Sequence, residues 1–338
     1  MSVYIIAEAG VNHNGSIELA YKLIDVAVDA GADAIKFQTF TAKNLALRDA
    51  KKATYQKQSD NSNESQFDML KKLELDVDDH NNLIDYTNKK GITFLSSPFD
   101  IDSANLLNEL DLQIFKIPSG EITNLPYLRH IGALGKQVIL SSGMSTLNEI
   151  EDALKILINA GTLKNNITIL HANTMYPTPM SDVNLKAMQT IKDKFDIKIG
   201  YSDHTLGTEV SIAAVAMGAS IIEKHFTLSK ELYGSDAKHS MEQKEFKFYV
   251  NTIKDIWIIN KSFVDKDKLT IFKKMKKIFE KSIVTSNIVK KNTILKLRHL
   301  NFKKPGDGIR ADMYKKIIGK KIKLNLPKDT KLKHSHFY

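Results

Sequence analysis

The sequence predicts an α/β protein: a TIM (β/α)8 barrel followed by a small β-rich C-terminal domain. Over the first 260 residues, short β-branched or apolar runs alternate with amphipathic stretches, which is typical of a parallel sheet wrapped by helices. Eight such runs occur, and eight βα units of about 250 residues in total close into a barrel. A chain of 338 residues with 42% hydrophobic residues can bury a core of that size and a smaller second one.

The predicted strands follow one another with helical patterns between them. They cover residues 3–10, 34–40, 93–99, 114–120, 137–143, 167–173, 198–204 and 220–227. Ile17–Ala30 and 208–217 have the apolar spacing of amphipathic helices. A doubly wound open sheet is the alternative, but no Gly-x-Gly-x-x-Gly follows the first strand, so a dinucleotide site has no support.

Two segments interrupt the alternation of predicted strands and helices. Residues 44–75 are rich in Lys, Gln, Ser and Asn and follow the second strand, where a long βα loop usually carries function. After residue 260 comes a Lys-rich stretch, and then short apolar runs with their own turn signals. We therefore expect a barrel domain at 1–260, a linker at 261–277 and a small domain at 278–338.

The composition excludes several kinds of chemistry. There is no cysteine, so disulfides, thiolate nucleophiles and sulfur-ligated metals are excluded, and any metal must be held by His, carboxylate or water. No apolar run approaches the ~20 residues of a spanning helix, and the N-terminus lacks the features of a signal peptide. We expect a soluble, cytoplasmic protein without a membrane partner.

Charge is distributed unevenly along the chain. Residues 261–338 carry 23 Lys+Arg against 6 Asp+Glu, a net charge of +17, whereas residues 1–260 have a net charge of −7. A basic domain could bind nucleic acid, but this one has few aromatic residues and no recognisable nucleic-acid motif. Lysine enrichment from a biased genome, or docking of the basic domain on the acidic one, also explains the charge. We expect no nucleic-acid partner.

Polar residues gather at the predicted strand ends, where the catalytic groups of TIM barrels lie. They include Glu8, Lys36, Gln38, Ser96, Ser97, Lys116, Ser119, Glu121, Ser141, Ser142, Asn173, Tyr176, Ser202, His204, Lys224 and His225. Lys36 and Lys116 lie within otherwise apolar strands. Pairing of each lysine with a barrel glutamate is one interpretation. Two lysines and several Ser hydroxyls at one mouth fit a phosphate-bearing ligand better, because they supply charge and short-range donors together.

Two histidines predict a metal site. His204 and His225 end the seventh and eighth strands, which are neighbours in a barrel, so both imidazoles can reach one ion. Each histidine alone would more often be an ordinary packed residue. With Glu8 across the mouth and Asp236 in the following loop, they predict an open N/O site for Mn²⁺ or Mg²⁺ with water positions left for substrate.

Seven motifs occur in order along the chain. With them the sequence resembles the sialic acid synthase family over essentially its whole length. They are IAEAGVNHNG at 6–15, KFQT at 36–39, SPF at 97–99, KIPSGE at 116–121, YPTP at 176–179, SDHT at 202–205 and EKHFT at 223–227. The resemblance implies a TIM barrel joined to a C-terminal antifreeze-like (SAF) domain in a domain-swapped homodimer. It also implies a transferase that condenses phosphoenolpyruvate with an open-chain N-acylated hexosamine, with C–O rather than P–O cleavage.

The resemblance also implies residue roles. His204 and His225 look like the metal ligands, and Glu8 looks like the carboxylate that assists proton and water chemistry; with Lys116 these form the catalytic set. The phosphoenolpyruvate cradle would comprise Lys36, Lys116, Ser119, Ser141 and Ser202, and the sugar would meet Gln38, Tyr176 and Asp236. Glu121, Asn173 and Lys304 complete the substrate-binding set.

Within the family, the runs 51–56, 64–66 and 118–126 look most similar to legionaminic acid synthases. Thr174 stands where sialate-making relatives often have Asn, Ser235 replaces the usual Pro, and Lys304 replaces the family's Arg. The three runs and Thr174 favour 2,4-diacetamido-2,4,6-trideoxymannose as the sugar, giving N,N'-diacetyllegionaminate and phosphate. N-acetylmannosamine, giving N-acetylneuraminate, is the alternative.

Two further alternatives are weaker. A pseudaminate-type sugar is disfavoured, because those synthases resemble ASFE rather than the PSGE found at 118–121. A non-catalytic barrel that binds polyanions through its basic tail would have lost some of its chemical residues. Glu8, Lys36, Lys116, His204 and His225 are all retained.

Overall fold

The computed structural model describes residues 2–52, 64–232, 234, 236–261 and 270–338, without the side chain of Ile271. Residues 53–56 of the 51–56 run, Ser235, and residues 262–269 of the predicted linker lie outside the described residues. The chain divides into two compact units, Met1–Lys261 and Ser262–Tyr338.

The first unit is a barrel of eight parallel strands, as predicted. The strands are β1 (Tyr4–Gly10), β2 (Ala34–Thr39), β3 (Thr93–Pro98), β4 (Ile114–Ile117), β5 (Gln137–Ser141), β6 (Ile167–Ala172), β7 (Lys198–Asp203) and β8 (Ile221–Thr227). Hydrogen bonds join them in the order β3-β2-β1-β8-β7-β6-β5-β4, and β3 packs beside β4 to complete the ring. A short strand, β9 (Met241–Glu242), pairs with the end of β8.

Helices connect successive strands of the barrel, and one more follows β9. They are Ile17–Ala30, Ala42–Leu45, Gln66–Lys71, Val77–Lys90, Ile101–Glu109, Leu125–Ala133, Leu147–Ala160, Lys186–Phe195, Glu209–Ala216 and Gln243–Lys261. Local chemistry fixes their ends: Ser16 accepts a hydrogen bond from the backbone N–H of Leu19, and Gly31, at φ 80°, ends the same helix in the left-handed conformation. None of the helices within the described residues is long and apolar enough to cross a bilayer.

Alternation along the strands divides the side chains between two layers. On β1, Ile5 and Ala7 belong to the core between barrel and helices, whereas Ile6 belongs to a separate cluster with Leu95 and Leu170. Successive side chains on a strand point to opposite faces, so Glu8 shares the interior face with Ile6. The barrel is therefore a packed structure, with polar groups toward the carboxyl ends of the strands.

The segment after β2 has a core of its own. The polar composition of 44–75 predicts a loop, but the described part contains the helices Ala42–Leu45 and Gln66–Lys71. Its apolar side chains pack with residues that follow β1, β2 and β3. The buried members of this cluster are Val11, Phe40, Ala42, Met69, Leu70 and Leu73. The described part of the segment thus packs beside the carboxyl ends of β1, β2 and β3.

The second unit is small and has its own apolar core. It contains the helices Lys273–Phe279 and Tyr314–Ile317 and an antiparallel pair, β10 (Ser282–Thr285) and β11 (Leu300–Lys303). Isolated bridges such as Val289 to Leu326 extend the pairing. Its buried core is formed by Ile283, Val289, Leu295, Leu300, Ile309, Ile317, Ile322, Leu326, Leu332 and Phe337.

Candidate active site

A cavity of about 350 Å³ lies at the carboxyl ends of the barrel strands. It brings together most of the residues predicted from the sequence. Those that line it are Glu8, Lys36, Gln38, Lys116, Ser119, Ser141, Tyr176, Ser202, His204, His225 and Asp236. Active sites of TIM barrels lie on this face. The cavity is therefore the candidate active site.

Four buried charges form the floor of the cavity. The Nζ atom of Lys36 lies 2.6 Å from Oε2 of Glu8 and 3.7 Å from Oε2 of Glu223. Lys116 donates to both carboxylate oxygens of Glu223, at 2.9 and 3.0 Å. Hydroxyls complete the cluster, because Lys36 donates to Ser97 and Ser202 donates to Glu223. Buried charges require such pairing, since an isolated one would lose its hydration without compensation.

Strand register explains why these groups meet. Glu8 on β1 is the partner of Lys36 on β2 and, on its other side, of His225 on β8. Ser202 on β7 is likewise the partner of Glu223 on β8. Residues paired across parallel strands lie at one level of a barrel. Glu8, Lys36 and His225 therefore share one level, and Ser202 and Glu223 share the level of Ile6, two residues nearer the amino ends of the strands.

The two floor carboxylates have opposite pKa shifts. Burial raises the pKa of Glu8 to about 7, and the nearby Glu223 adds to the rise against the opposing effect of Lys36. Burial also opposes ionisation of Glu223, but the Lys116 and Lys36 ammonium groups outweigh it and hold the pKa of Glu223 well below its usual range. Glu8 is thus the carboxyl group able to hold and release a proton near neutral pH.

The two histidines face each other with ring centroids 5.6 Å apart. Burial lowers the pKa of His204 to about 4, and burial together with His204 lowers the pKa of His225 well below its usual range. Both rings are therefore neutral imidazoles at physiological pH. His204 Nδ1 is hydrogen-bonded to the backbone oxygen of Asn173, which makes Nδ1 the protonated nitrogen and leaves the Nε2 lone pair toward the Tyr176 hydroxyl at 2.9 Å.

This pair has the donor chemistry of a metal site. Nδ1 of His225 is buried without a hydrogen-bond partner among the described residues, and it lies 4.0 Å from Oδ2 of Asp236. Neutral imidazole and carboxylate are ligands that first-row divalent ions accept. Within the described ranges, no three His, Asp or Glu side chains form a complete metal cluster. A cation held here would need further ligands from substrate or water.

Two predicted substrate residues, Glu121 and Asn173, are not among the described residues that line the cavity, and a third, Lys304, belongs to the other unit. Glu121 accepts a hydrogen bond from the Asn124 side chain, at the start of helix Leu125–Ala133. Asn173 turns its side chain to its own loop, where it contacts the backbone of Met175 and Asp182, and only its carbonyl reaches His204. Lys304 belongs to the second unit, where its Nζ lies 4.9 Å from the centroid of the Phe279 ring.

The alternation of side chains along β8 corrects the prediction that Lys224 and His225 lie together at its end. Lys224 does not line the cavity with His225: it lies on the opposite face, 3.0 Å from Asp203, and donates to the backbone oxygen of Thr205. Glu223, which shares the interior face with His225, is the functional candidate that sequence reasoning missed. The period-2 pattern in the run EKH would have found it.

A second missed feature is the apolar side of the cavity. Seven lining residues are apolar side chains of the segment after β2 or its neighbours: Val11, Leu45, Ala46, Met69, Leu70, Leu73 and Phe99. We call this set the apolar wall. Leu70 and Leu73 lie three positions apart and Met69 and Leu73 four apart, which is helical spacing. Their polar neighbours in the sequence obscure it.

Comparison with known proteins agrees with the motifs. The NeuB family model matches residues 23–265. The chain is 50% identical to the N,N'-diacetyllegionaminic acid synthase of Campylobacter jejuni, over 96% of this chain and 97% of that protein. It is 40% identical to the protein of the same name from Legionella pneumophila, over 99% of this chain and 95% of that protein.

Solved structures show the same relationship. A crystal structure of N-acetylneuraminic acid (sialic acid) synthetase from Leptospira borgpetersenii, in complex with citrate, superposes with a TM-score of 0.71 at 35% identity. The match covers 82% of this chain and 91% of that one. The resemblance drawn from the seven motifs is confirmed, and the chain belongs to the NeuB family of sialic and legionaminic acid synthases.

Proposed function

We propose that the protein condenses phosphoenolpyruvate with 2,4-diacetamido-2,4,6-trideoxymannose and releases N,N'-diacetyllegionaminate and phosphate. One observation carries this proposal: the cavity with two buried lysines beside two neutral histidines belongs to a chain that matches N,N'-diacetyllegionaminic acid synthases over almost its full length. We also propose that it acts in the cytoplasm, where phosphoenolpyruvate is available.

The lysines and serines of the cavity are suited to phosphoenolpyruvate. Lys36 and Lys116 supply positive charge, and Ser119, Ser141 and Ser202 supply short hydroxyl donors. In the described structure Glu223 holds both lysines. A bound phosphate or carboxylate group would share these ammonium groups with Glu223, so the lysines are already oriented when substrate arrives.

The reaction needs one group that both gives and takes protons. C3 of phosphoenolpyruvate forms a bond to the aldehyde carbon, and the aldehyde oxygen gains a proton. Water adds to C2 and loses a proton, and the C–O bond to phosphate then breaks. Glu8, with a pKa of about 7, can supply or accept these protons at neutral pH.

His204 and His225 would hold a divalent cation, Mn²⁺ or Mg²⁺, with Asp236 beside them. Such an ion, when bound, supplies Lewis-acid polarisation of the aldehyde. The chain's own contribution is to keep both imidazoles neutral by burial and to fix the tautomer of His204 through the Asn173 carbonyl.

The C-terminal unit would act as an antifreeze-like domain in a domain-swapped homodimer. The net charge of +17 on residues 261–338 against −7 on residues 1–260 favours docking of this domain on a barrel. Lys304 would then contact the sugar bound by the other subunit, as a single flexible ammonium where relatives have a planar guanidinium.

A phosphate-release assay with phosphoenolpyruvate and a panel of hexosamines tests the proposed function. We expect release only when a suitable 2-acetamido sugar is present, and water labelled with ¹⁸O should enter the product rather than the phosphate. If N-acetylmannosamine is the one sugar of the panel that supports phosphate release, the protein is a sialate synthase. No release with any sugar, from folded protein supplied with metal, would favour the non-catalytic alternative.

A further inference from the structure

The cavity has two chemically different sides. Lysines, serines and histidines line one part of it, and the apolar wall, together with Gln66 from the same helix as Met69, lines another part. His204 directly follows β7 and His225 lies within β8, whereas most of the wall comes from the segment after β2. In the strand order, β2 lies three positions from β7, so most of the wall lines a different part of the mouth from His204.

The residues of the apolar wall are packed together and held by polar contacts. Met69, Leu70 and Leu73 are each only 9% exposed and pack in one cluster with Val11 and Phe40. Polar contacts tie the wall to the rest of the segment. Ser65 caps the helix that carries Met69, Glu64 bridges Lys52 and Lys72 at 2.7 Å each, and the backbone N–H of Ala42 donates to Glu74.

Phosphoenolpyruvate is not complementary to such an apolar surface. It carries a carboxylate and a phosphate, and these match the lysines and hydroxyls of the floor. The aldehyde end of the sugar must reach the same floor to react. The opposite end of the six-carbon chain is therefore the part that meets the apolar wall, and an apolar wall favours an apolar substituent there.

We infer that the apolar wall is the subsite for the C6 methyl group of a 6-deoxy hexosamine, and that Met69 and Leu73 set the preference for the 6-deoxy sugar. This inference rests on the proposed function and names the part of the site that selects its sugar. Burying one methyl group favours binding by about fourfold, and an apolar pocket rejects an added hydroxyl by at most about 100-fold. The preference should lie between these limits.

The test compares two sugars that differ only at C6: 2-acetamido-2,6-dideoxymannose and N-acetylmannosamine. Because both carry the same hydroxyl at C4, the ratio of their kcat/KM values isolates the C6 contact. Met69→Gln is the main variant, because Gln has nearly the length and helix propensity of Met. Leu73→Gln is the second, at a position after the helix. Phe67→Leu is the control, since Phe67 packs on the same cluster but lies outside the cavity lining formed by the described residues.

We expect the wild type and Phe67→Leu to prefer the 6-deoxy sugar, and Met69→Gln or Leu73→Gln to reduce this preference by at least about fourfold. An unchanged ratio in both Gln variants, with thermal unfolding showing that they are folded, would overturn the inference. So would a wild type that does not distinguish the pair. A wild type that prefers the 6-deoxy member of this pair but turns over no 4-acetamido sugar would instead contradict the proposed function.

Discussion

Glu8 and Lys36 form a buried ion pair whose carboxylate oxygen and ammonium nitrogen lie 2.6 Å apart. They are partners in the register of β1 and β2, and His225 is the partner of Glu8 on the other side. Glu8 therefore connects the lysine floor to the histidine pair.

The raised pKa of Glu8 predicts a pH-dependent effect of Glu8→Gln. The pKa is about 7 in the folded protein against an ordinary value of 4.5, so the folded state binds this proton more tightly. The stability it contributes is complete below about pH 4.5 and is lost as the pH rises through about 7. Gln does not ionise. Thermal unfolding should show the variant gaining on wild type by on the order of 5 °C between about pH 5 and pH 8. A difference that stays constant over this range would contradict the assignment.

The position of Glu223 between two lysines predicts a large effect of Glu223→Gln. The substitution leaves Lys116 without its carboxylate, and breaking a buried pair costs about 3 kcal/mol of the free energy of unfolding. Asp29→Asn is the control, because the exposed Asp29–Lys247 pair contributes less than about 1 kcal/mol. Urea unfolding followed by fluorescence of Trp257, the only tryptophan, reports on the barrel. Equal losses in the two variants would be inconsistent with a charged floor.

The histidine pair predicts dependence on a divalent cation. His204→Ala and His225→Ala should keep the fold and lose at least about 100-fold in kcat, and EDTA should inactivate wild type reversibly. His130→Ala is the control, since His130 is bonded to the side chain of Asn105, away from the cavity lining. Full activity in exhaustively chelated protein would refute the metal proposal.

The proposed domain swap predicts complementation between two inactive variants. Glu8→Gln keeps an intact C-terminal domain, which we call the cap, and a chain truncated after Lys277 keeps an intact barrel. When subunits exchange, a heterodimer pairs the intact barrel with the other subunit's cap, and activity should return to about a quarter of wild type. If heterodimers form and no activity returns, Lys304 does not act across subunits.

Much of the barrel could be predicted from the sequence, because a regular series of short apolar runs is typical of buried parallel strands. Lys36 and Lys116 were conspicuous for the same reason: a charge within an apolar strand needs a partner or a ligand. The face of the strand to which each side chain points was harder to predict. Glu223 and Lys224 are adjacent charges, and only strand alternation separates the interior one from the one that pairs with Asp203.

Residues beyond the strand ends were the least predictable. Asn173 and Glu121 follow their strands, where no periodicity fixes the direction of a side chain; both make local hydrogen bonds, and neither is among the described residues that line the cavity. In the apolar wall, Met69, Leu70 and Leu73 stand among polar neighbours. Their burial depends on packing against Val11 and Phe40, residues distant in sequence.

Competition between two sugars tests the central claim most directly. Wild-type protein is given phosphoenolpyruvate, metal and equal amounts of 2,4-diacetamido-2,4,6-trideoxymannose and N-acetylmannosamine, and the two nonulosonic acid products are quantified. We predict a kcat/KM at least about tenfold higher for the diacetamido sugar, equivalent to about 1.4 kcal/mol of transition-state discrimination. An excess of N-acetylneuraminate would contradict the account and make the protein a sialate synthase.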